Sequence, residues 1–420
     1  MKVLVFNCGS SSIKYKLYEM PRAVVISVGS VQRIGEELSE AVQKTGTKEI
    51  RTSKRIANHA EGMSAMSAML TDPEKGAIRS MSEIGACGHR VVHGGEKFTG
   101  SVRIDPHLIA IIEEYSELAP LHNPPNLIGI REAQKMFGDI LQVACFDTAF
   151  HATMPEAAYL YALPYSMYEK LKIRKYGFHG TSHRYVARRA AEIMKKGKYK
   201  VDLITCHLGN GCSIAAVKNG RSVDTSMGLT PLEGLVMGTR TGDIDPAVIF
   251  HCVRKGYTPG QLDIIFNQKA GLLGVSGISN DVRTLEEKAA SGSKMARLAL
   301  DIFAYRIKKY IGSYLAVLNG CDGIVFAGGI GENGARMRQR ILADMEHLGI
   351  KVDVRKNEKA IGNEAEIQAV DSKVRIFVIP TDEEAAIAKD TFCIAADTDP
   401  DQNAEIPIDG IGREPALTIK

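Results

Sequence analysis

The sequence contains no tryptophan, no cysteine pair spaced for a metal site, no long apolar run and almost no excess of one charge. Its eight cysteines are scattered without a CxxC pair, so we expect no zinc site and predict mostly reduced thiols that act as small hydrophobes. With 53 basic and 49 acidic residues, the net charge of +4 argues against a nucleic-acid-binding face. No apolar run is long enough to span a membrane, and Met1-Lys2 leads into a strand pattern, not a signal peptide. We therefore expect a cytoplasmic protein that binds neither nucleic acid nor membrane.

What is present is typical of a folded globular protein with two domains. The chain has 420 residues, of which 45% are hydrophobic and 24% are charged. Strand-like runs occur at residues 3–6, 24–28, 141–144, 203–206, 213–217, 324–327 and 375–379, and helical patterns at 295–318 and 335–348. This alternation predicts an α/β protein. Residues 36–54 are polar and weakly periodic, which favours either a peripheral hairpin or a loop.

One strand–turn arrangement occurs twice, as NCGSSSIK at residues 7–14 and HLGNGCSI at residues 207–214. Each turn is rich in glycine and small polar residues, which leaves its backbone N–H groups open to a phosphate. One such turn is also typical of an ordinary hairpin, but two at the starts of two chain halves predict a duplicated, phosphate-binding fold. Antiparallel pairing at each turn predicts mixed sheets. Lys14 is then either a phosphate ligand or a solvated strand lysine, and the Asn7 amide oxygen is suited to face a metal-bound water.

Two charged residues lie in or after apolar strand patterns. Arg90 lies within GHRVVHGG at residues 88–95, where an arginine is costly unless an anion pairs with it. That anion is either a substrate or a structural carboxylate. Asp147 lies in CFDTAFH at residues 145–151, which ends a strand with a carboxylate, where α/β proteins place reactive groups. It is equally suited to cap a following helix.

Histidines and a further arginine occur in two glycine-rich segments. His179 and His183 are spaced as ligands on one helix face, but Thr181-Ser182 is predicted to cap the helix and leave His179 in the preceding loop. We therefore reject a zinc site, favour His179 as a hydrogen-bond donor to an oxyanion, and predict a structural role for His183. Arg240 lies in the irregular stretch 224–243, which is typical of a functional loop, and can form bidentate contacts to phosphoryl or carboxylate oxygens.

The glycines at residues 329, 331 and 334 match the dinucleotide-binding fingerprint, with Asp353 at the distance of a ribose-binding acid. The same geometry would let a nucleoside lie against bare backbone at a helix N-terminus. A dehydrogenase would not account for two earlier phosphate turns or for Arg90 and Arg240. We therefore favour the second interpretation.

Together these residues closely resemble the acetate kinases, within the sugar kinase–heat-shock chaperone–actin superfamily. The resemblance rests on residues 7–14, 177–182, 207–213, 226–245, 328–333 and 381–384, in the family's order, and covers the chain to about residue 395. It implies an α/β fold of two duplicated actin-like (ribonuclease H-like) domains, each with a mixed sheet flanked by helices, around an active-site cleft. The domains would be residues 1–150 plus about 384–396, and residues 151–383. Residues 397–420 have no counterpart and are predicted to form a loosely ordered tail.

The resemblance also implies the substrates and the residues that bind them. The reaction would be reversible, direct in-line transfer of the ATP γ-phosphoryl group to acetate, giving acetyl phosphate and ADP. ATP would be bound by Lys14, by His207, Leu208, Gly209, Asn210 and Gly211, by Asp281, Val282 and Arg283, and by Gly329, Ile330, Gly331, Glu332 and Asn333. Mg²⁺, with Mn²⁺ as the alternative metal, would be held near Asn7 and Glu383, largely through waters. The family is typically homodimeric.

The implied catalytic residues are Arg90, Asp147, His179 and Arg240, with acetate bound by Arg90 beside a methyl pocket of Val92, Leu121 and Pro231. The family assigns Asp147 a proton-transfer role. Acetate is already ionised at neutral pH, however, so we expect Asp147 mainly to orient metal-bound waters or an arginine. The alternatives are a propionate or butyrate kinase of the same family and, from another class, an actin-like or chaperone-like ATPase.

Overall fold

The computed structural model describes residues 1–120 and 122–400, which divide into two compact units. The first unit contains Met1–Ala149 and the segment from Asp382 onward, and the second contains Phe150–Thr381. Leu121, predicted to line the methyl pocket, lies outside the described residues, as do residues 401–420 of the predicted tail.

The first unit is built on an eight-stranded sheet in the order β5-β4-β3-β2-β1-β6-β8-β7. Strands β1 to β5 pair antiparallel in sequence, whereas β6 runs parallel to β1 and to β8. Residues 36–54 therefore contain a hairpin, the first of the two predicted alternatives. The strands are β1 (Lys2–Gly9), β2 (Ser12–Glu19), β3 (Val24–Gln32), β4 (Ser39–Thr45), β5 (Lys48–Lys54), β6 (Ile84–Val91), β7 (Val102–Arg103) and β8 (Leu141–Phe146).

The second unit is built on a six-stranded sheet in the order β11-β10-β9-β12-β14-β13. Here β9, β10 and β11 are antiparallel, and β12 runs parallel to β9 and β14. The core order of β3-β2-β1-β6-β8 is thus repeated as β11-β10-β9-β12-β14, which confirms the predicted duplication and mixed sheets. The strands are β9 (Leu203–Leu208), β10 (Cys212–Lys218), β11 (Arg221–Thr225), β12 (Gly323–Ala327), β13 (Ala365–Glu366) and β14 (Arg375–Val378).

Helices flank both sheets. Within residues 1–120 and 122–400, none is both long and apolar enough to cross a bilayer. The helices are α1 (His59–Leu70), α2 (Pro106–Glu114), α3 (Asn123–Phe137), α4 (Glu156–Tyr159), α5 (Tyr165–Leu171), α6 (Gly180–Ile193), α7 (Ala247–Arg254), α8 (Pro259–Gln268), α9 (Gly271–Ser276), α10 (Val282–Ala290), α11 (Lys294–Leu318), α12 (Gly328–Asn333), α13 (Ala335–Leu342), α14 (Val354–Lys359) and α15 (Glu383–Ala395).

The alternation of β1 explains how helices cover both faces of the first sheet. Leu4 and Phe6 pack into a core with Met63 of α1, whereas Val3 and Val5 pack on the other face with residues of α15. Helix α15 contacts β1, β6 and β8, so its N-terminus lies in the unit that contains Arg90 and Asp147.

One predicted helix is shorter than its pattern. The pattern over residues 335–348 is helical only to Leu342 in α13, after which the chain turns and Glu346–Leu348 forms a short 3₁₀ helix. Asp344 has a φ of 55°, a left-handed conformation that an α-helix cannot contain. Apolar periodicity does not register this break because Ile341, Leu342 and Met345 are all buried on the two sides of it.

Candidate active site

The turn between β9 and β10 presents bare backbone to two potential oxyanion-binding groups. Gly211 lies at its end, and a Cβ added there would be 3.6 Å from Nε2 of His179 and 3.7 Å from Nη1 of Arg240. A planar cation and an imidazole therefore lie beside a glycine, where no side chain covers the backbone. Such an arrangement is suited to an anion with several oxygens.

Arg240 lies in the long segment between β11 and α7, which has no helix or strand. Its Nη1 donates to the carbonyl oxygen of Pro231 at 3.3 Å, and no carboxylate of the described residues pairs with it. Burial lowers the pKa of the Arg240 guanidinium. A bound anion would therefore offset the cost of keeping this cation out of water.

His179 is held at the start of α6 in an unusual backbone conformation. It is the N-cap of α6 with a φ of 56°, and its Nδ1 lies 2.9 Å from Oγ of Ser213. Its ring stacks on that of His207 with centroids 4.3 Å apart. The predicted cap at Thr181-Ser182 is wrong, because α6 begins at Gly180 and places both residues in its first turn.

Ser182 instead bridges two residues of the second unit: His207, near the end of β9, and Thr381, the last residue of the unit. Its Oγ lies 2.8 Å from Nδ1 of His207 and 2.8 Å from Oγ1 of Thr381. Thr381 in turn donates its N–H to Oε1 of Glu332 at 3.0 Å, and Gly328 donates to the same oxygen at 2.8 Å. One oxygen of the Glu332 carboxylate is thus used within the protein, to hold the N–H groups of Gly328 and Thr381.

A cavity of about 610 Å³ lies in the second unit, beside the phosphate turn. Three segments predicted to bind nucleotide meet there: the turn after β9, the start of α10, and α12 with its flanking residues. Its volume is typical of a site for a small organic ligand. It is lined by the predicted residues Gly209, Asn210, Asp281, Val282, Arg283, Gly329, Ile330 and Asn333, and by Gly334, the third glycine of the fingerprint. The sequence did not indicate its other lining residues, Asn280, Glu286, Ala335, Arg336 and Ile361.

Six predicted nucleotide residues do not line this cavity. One is Lys14, which belongs to the first unit, and the others are His207, Leu208, Gly211, Gly331 and Glu332, of which Leu208 and Gly331 are buried. Among the lining residues, Asp281 is the N-cap of α10 and accepts from Thr284 N at 2.9 Å, which lowers its pKa.

The dinucleotide fingerprint is confined to a short helix. Gly328–Asn333 forms α12, and Asp353, the candidate ribose ligand, caps α14 by accepting from the N–H of Lys356. Asp353 does not line the cavity. The acidic half of the fingerprint therefore has a helix-capping role.

The first unit contains a partly buried cluster of one arginine and two acids. Arg90 Nε and Nη2 donate to Asp147 Oδ1 and Oδ2 at 3.0 and 2.7 Å, and Nη1 lies 3.5 Å from Oε2 of Glu383. The Asp147 side chain is only 2% exposed. Of the two partners predicted for Arg90, the structural carboxylate is therefore present, and Asp147 caps no helix.

Interactions within this cluster, together with burial, shift the pKa values of Glu383 and Arg90. Burial, together with repulsion from Asp147 and from Glu384 and Asp382, raises the pKa of Glu383 to about 7, although Arg90 opposes this. Burial disfavours the charge on Arg90, but Asp147 and Glu383 outweigh it and raise its pKa.

The remaining predicted residues of the first unit lie on β1, on β2 and directly after β6. Asn7 pairs with Lys14 across β1 and β2, and the Lys14 side chain is exposed. Val92 is half-buried and donates its N–H to Oδ1 of Asn126 at 3.1 Å. Pro231, predicted to share a pocket with Val92, belongs to the second unit and is half-buried.

Sequence reasoning missed a lysine that neutralises the start of α15. Lys16 Nζ lies 3.3 Å from Asp382 Oδ1 and 3.3 Å from Glu384 Oε2, on either side of Glu383. The acidic run Asp382-Glu383-Glu384 before a helical pattern was a usable signal, because acids are favoured in the first turn of a helix. Nothing in the local sequence indicates that this acidic run pairs with Lys16.

Comparisons with known proteins agree over nearly the whole chain. Residues 2–389 match the model of the acetokinase family. The chain is 54% identical over 393 residues to an acetate kinase of Methanosarcina acetivorans, covering 93% of this chain and 96% of the relative. Among solved structures, it resembles Porphyromonas gingivalis acetate kinase with a TM-score of 0.90 and 48% identity, covering 94% of this chain and 99% of the other. It resembles a Francisella tularensis propionate kinase with a TM-score of 0.88 and 41% identity, covering 93% and 99%. The chain belongs to the acetokinase family.

Proposed function

We propose that this protein catalyses reversible transfer of the ATP γ-phosphoryl group to acetate, giving acetyl phosphate and ADP. As a member of its family it is an ATP-using phosphotransferase with a carboxylate acceptor. The observation that carries the proposal is the pair of donors, Arg240 and His179, at the bare turn of Gly211. A partner-binding ATPase has no need of a half-buried arginine without a carboxylate partner at that position.

The nucleotide is assigned to the cavity of the second unit. A nucleoside would occupy the space between the start of α10 and α12, and its phosphates would lie along the turn after β9. The phosphoryl group in flight is charge-dense, so its transfer depends mainly on alignment and on neutralising its oxygens. Arg240 would hold two oxygens through its planar fork, and His179 would donate one hydrogen bond. Lys14, exposed on β2, would add a further positive charge.

Arg90 is assigned to the acetate carboxylate and Asp147 to the orientation of Arg90. Acetate needs no base to become a nucleophile at neutral pH. The two hydrogen bonds from Arg90 to Asp147 leave Nη1 directed towards Glu383, so the fork is held in one orientation. Asp147 would therefore act through Arg90, as a positioning residue.

Asn7 and Glu383 fit a magnesium ion that keeps most of its waters. Their amide and carboxylate oxygens are the donors that Mg²⁺ prefers. Within the described part of the chain, no group of three or more histidine, cysteine or acidic side chains forms an all-protein metal cage. When bound, Mg²⁺, or Mn²⁺ in its place, would neutralise phosphate charge.

The decisive test traps acyl phosphate with hydroxylamine in the presence of ATP, Mg²⁺ and acetate, propionate or butyrate. We expect most product with acetate, less with propionate and little with butyrate. One methylene discriminates by only about 1–3 kcal/mol, so propionate should react slowly. ATP hydrolysis without acyl phosphate from any of these acids would contradict the proposal and favour a partner-binding ATPase. Product with propionate above that with acetate would favour a propionate kinase.

Val92→Ala is expected to raise the propionate-to-acetate ratio of kcat/KM by about tenfold, because the shortened side chain leaves room for the extra methylene. Val92 is half-buried, directly follows β6 and lies two residues after Arg90 in the chain. The ratio is measured with the hydroxylamine assay. Val102→Ala, in β7 of the same unit, is the control and should leave the ratio unchanged. An equal propionate-to-acetate ratio in the two variants would show that Val92 does not line the methyl pocket.

Mg²⁺ affinity is expected to rise about tenfold between pH 6 and pH 8, because only the ionised Glu383 carboxylate binds the metal. The pKa of Glu383 is about 7, so ionisation spans this interval. Because this pKa is raised in the folded protein, folding favours the protonated carboxyl, and the metal-free protein should lose stability as the pH rises through about 7. Calorimetric Mg²⁺ titrations at several pH values test this. Glu383→Gln should weaken binding and abolish its pH dependence; an unchanged pH profile in this variant would exclude Glu383.

We also propose a cytoplasmic homodimer in which helix α7 forms part of the interface. No residue of α7 is buried, and Phe250 is 63% exposed. Val248, Ile249 and Val253 are exposed on the same helix. Apolar surface of this kind is typical of an interaction site, and the familial resemblance favours a second copy as its partner. The free cysteines suit a reducing compartment.

Phe250→Asp is expected to convert the dimer to a monomer, because a charge would be buried in an apolar interface. Light scattering after size-exclusion chromatography measures the mass. Val370→Asp, which changes an almost fully exposed loop residue, should leave the dimer intact. A monomeric wild-type protein, or a dimeric Phe250→Asp variant, would reject this interface.

A further inference from the structure

A buried chain of hydrogen bonds leads from the body of the second unit to His179. Oγ1 of Thr205 lies 2.8 Å from Nδ1 of His183, and Nε2 of His183 lies 2.7 Å from Oγ of Ser213. The same Ser213 oxygen lies 2.9 Å from Nδ1 of His179. Thr205, His183 and Ser213 are all fully buried on β9, α6 and β10. The groups of this chain are therefore shielded from solvent and carried by regular strands and a helix.

Counting hydrogens leaves few arrangements for this chain. The Ser213 hydroxyl has one hydrogen to donate, and it faces two histidine nitrogens. A neutral histidine has one N–H and one acceptor nitrogen. In one arrangement, His183 donates its Nε2–H to Ser213. Ser213 must then donate its hydrogen to Nδ1 of His179, and Thr205 must donate to Nδ1 of His183. His179 then carries its hydrogen on Nε2.

The opposite direction has a different consequence at the phosphate turn. If His179 donates through Nδ1, its Nε2 is a lone pair in the neutral ring. Nε2 lies 3.6 Å from the position of a Cβ at Gly211, close to where the anion is expected. A lone pair there would repel a phosphoryl oxygen, whereas an N–H would bind it.

His183 is neutral, which favours a chain in which each hydrogen bond contains one hydrogen and all of them point in the same direction. Burial, with smaller effects of His151 and His207, places the pKa of His183 well below its usual value. His183 is therefore neutral at physiological pH and can donate through only one nitrogen. Its helical N–H bond to the carbonyl of His179 further fixes the two residues relative to each other.

We propose that Ser213 and His183 are positioning residues that hold the His179 imidazole as its Nε2–H tautomer, ready to donate to the transferred phosphoryl group. The inference rests on the proposed function for its catalytic consequence, but the tautomer itself is a property of the protein without substrate. The chain moves no proton. It selects which nitrogen of His179 carries one, in the same way that partners of catalytic histidines generally fix their tautomers.

The first test measures the tautomer directly. Nitrogen-15 NMR of uniformly labelled wild-type protein distinguishes protonated from unprotonated ring nitrogens, with His179→Gln used for assignment. We expect His179 to be protonated at Nε2 and unprotonated at Nδ1, and His183 to show the same pattern. Protonation of His179 at Nδ1 with a bare Nε2 would overturn the proposal, whatever the activity of the protein.

The second test is a double-mutant cycle on acyl phosphate formation. Ser213→Ala should lower kcat about tenfold, with both KM values changed less than twofold, because one oriented hydrogen bond is lost mainly in the transition state. In a His179→Ala background, the same change should have no further effect, because Ser213 acts through His179. Additive losses, or a fully active Ser213→Ala variant beside an impaired His179→Ala variant, would contradict the proposal.

A matched control separates positioning from general damage to the core. Ser222 on β11 makes the same kind of contact, with Oγ 2.8 Å from Nδ1 of the buried His151. Ser222→Ala should fold and retain kcat within about twofold, since that hydroxyl does not contact His179. If Ser222→Ala lowers kcat as much as Ser213→Ala does, Ser213 has only a structural role and the proposal is contradicted. If wild-type protein makes no acyl phosphate, the proposed function fails, and the NMR result still decides the tautomer.

Discussion

Arg90→Lys is expected to lower kcat for acyl phosphate formation by about 10²- to 10³-fold. Arg90 engages both oxygens of Asp147 and lies near Glu383 through its third nitrogen. A lysine ammonium carries the charge but has no planar fork, so it cannot hold Asp147 and also present an oriented donor to a carboxylate. The hydroxylamine assay gives kcat, and thermal unfolding shows whether the variant is folded.

The control is Arg131→Lys, which alters an arginine–carboxylate pair with Glu113 on the surface of the same unit. Exposed pairs contribute about 0–1 kcal/mol, so activity and stability should stay near those of the wild type. Arg90→Met is a harsher change, since the buried Asp147 would lose its partner at a cost of about 3–5 kcal/mol. Near-normal turnover in Arg90→Lys would show that charge alone is sufficient and would contradict the assigned orientation.

Arg338→Met is expected to lower the free energy of unfolding by about 3–5 kcal/mol. Arg338 is completely buried in α13, and its hydrogen bonds go to neutral acceptors at 2.7–3.1 Å. Burial lowers its pKa to about 10, so it remains a cation at neutral pH. It joins the carbonyls of α12 to those at the end of α14, and methionine would remove a charged donor from all of them. Glu332 O and Asn357 O would keep the N–H groups of Gly362 and Ala360 as donors. The acceptors are Gly331 O, Glu332 O, Ala360 O, Asn357 O and Asn357 Oδ1.

The same variant should raise KM for ATP about tenfold while changing KM for acetate little, because α12 forms one wall of the nucleotide cavity. Urea unfolding gives the stability, and initial rates give the two KM values. Arg340→Met, on the same helix, is the control, because the 3.6 Å contact of Arg340 with Asp301 joins two partly exposed side chains, and this variant should cost at most about 1 kcal/mol. Equal stabilities of the two variants would show that the buried carbonyls find other donors.

Some features of the fold and site were predictable because they depend on neighbouring residues. The two glycine-rich turns follow apolar strands, and both are strand–turn–strand units in the structure. Apolar runs identified strands such as β9 and β12. In contrast, the first turn of α6 was predicted one or two residues late, because its N-cap is a histidine in a left-handed conformation and not a serine or threonine.

The sequence alone determined which residue types stand at each turn, strand end and helix start, and so the kinds of chemistry available. Only the tertiary structure decided which of them face each other. Arg90 meets Asp147 because β6 and β8 are parallel neighbours, and Glu383 joins them because α15 packs on that sheet. Ser213 reaches both His179 and His183 because β10 lies beside β9 under α6. Periodicity assigns a side chain to a face, whereas its partner is set by sheet register and helix packing, which depend on contacts between residues far apart in the chain.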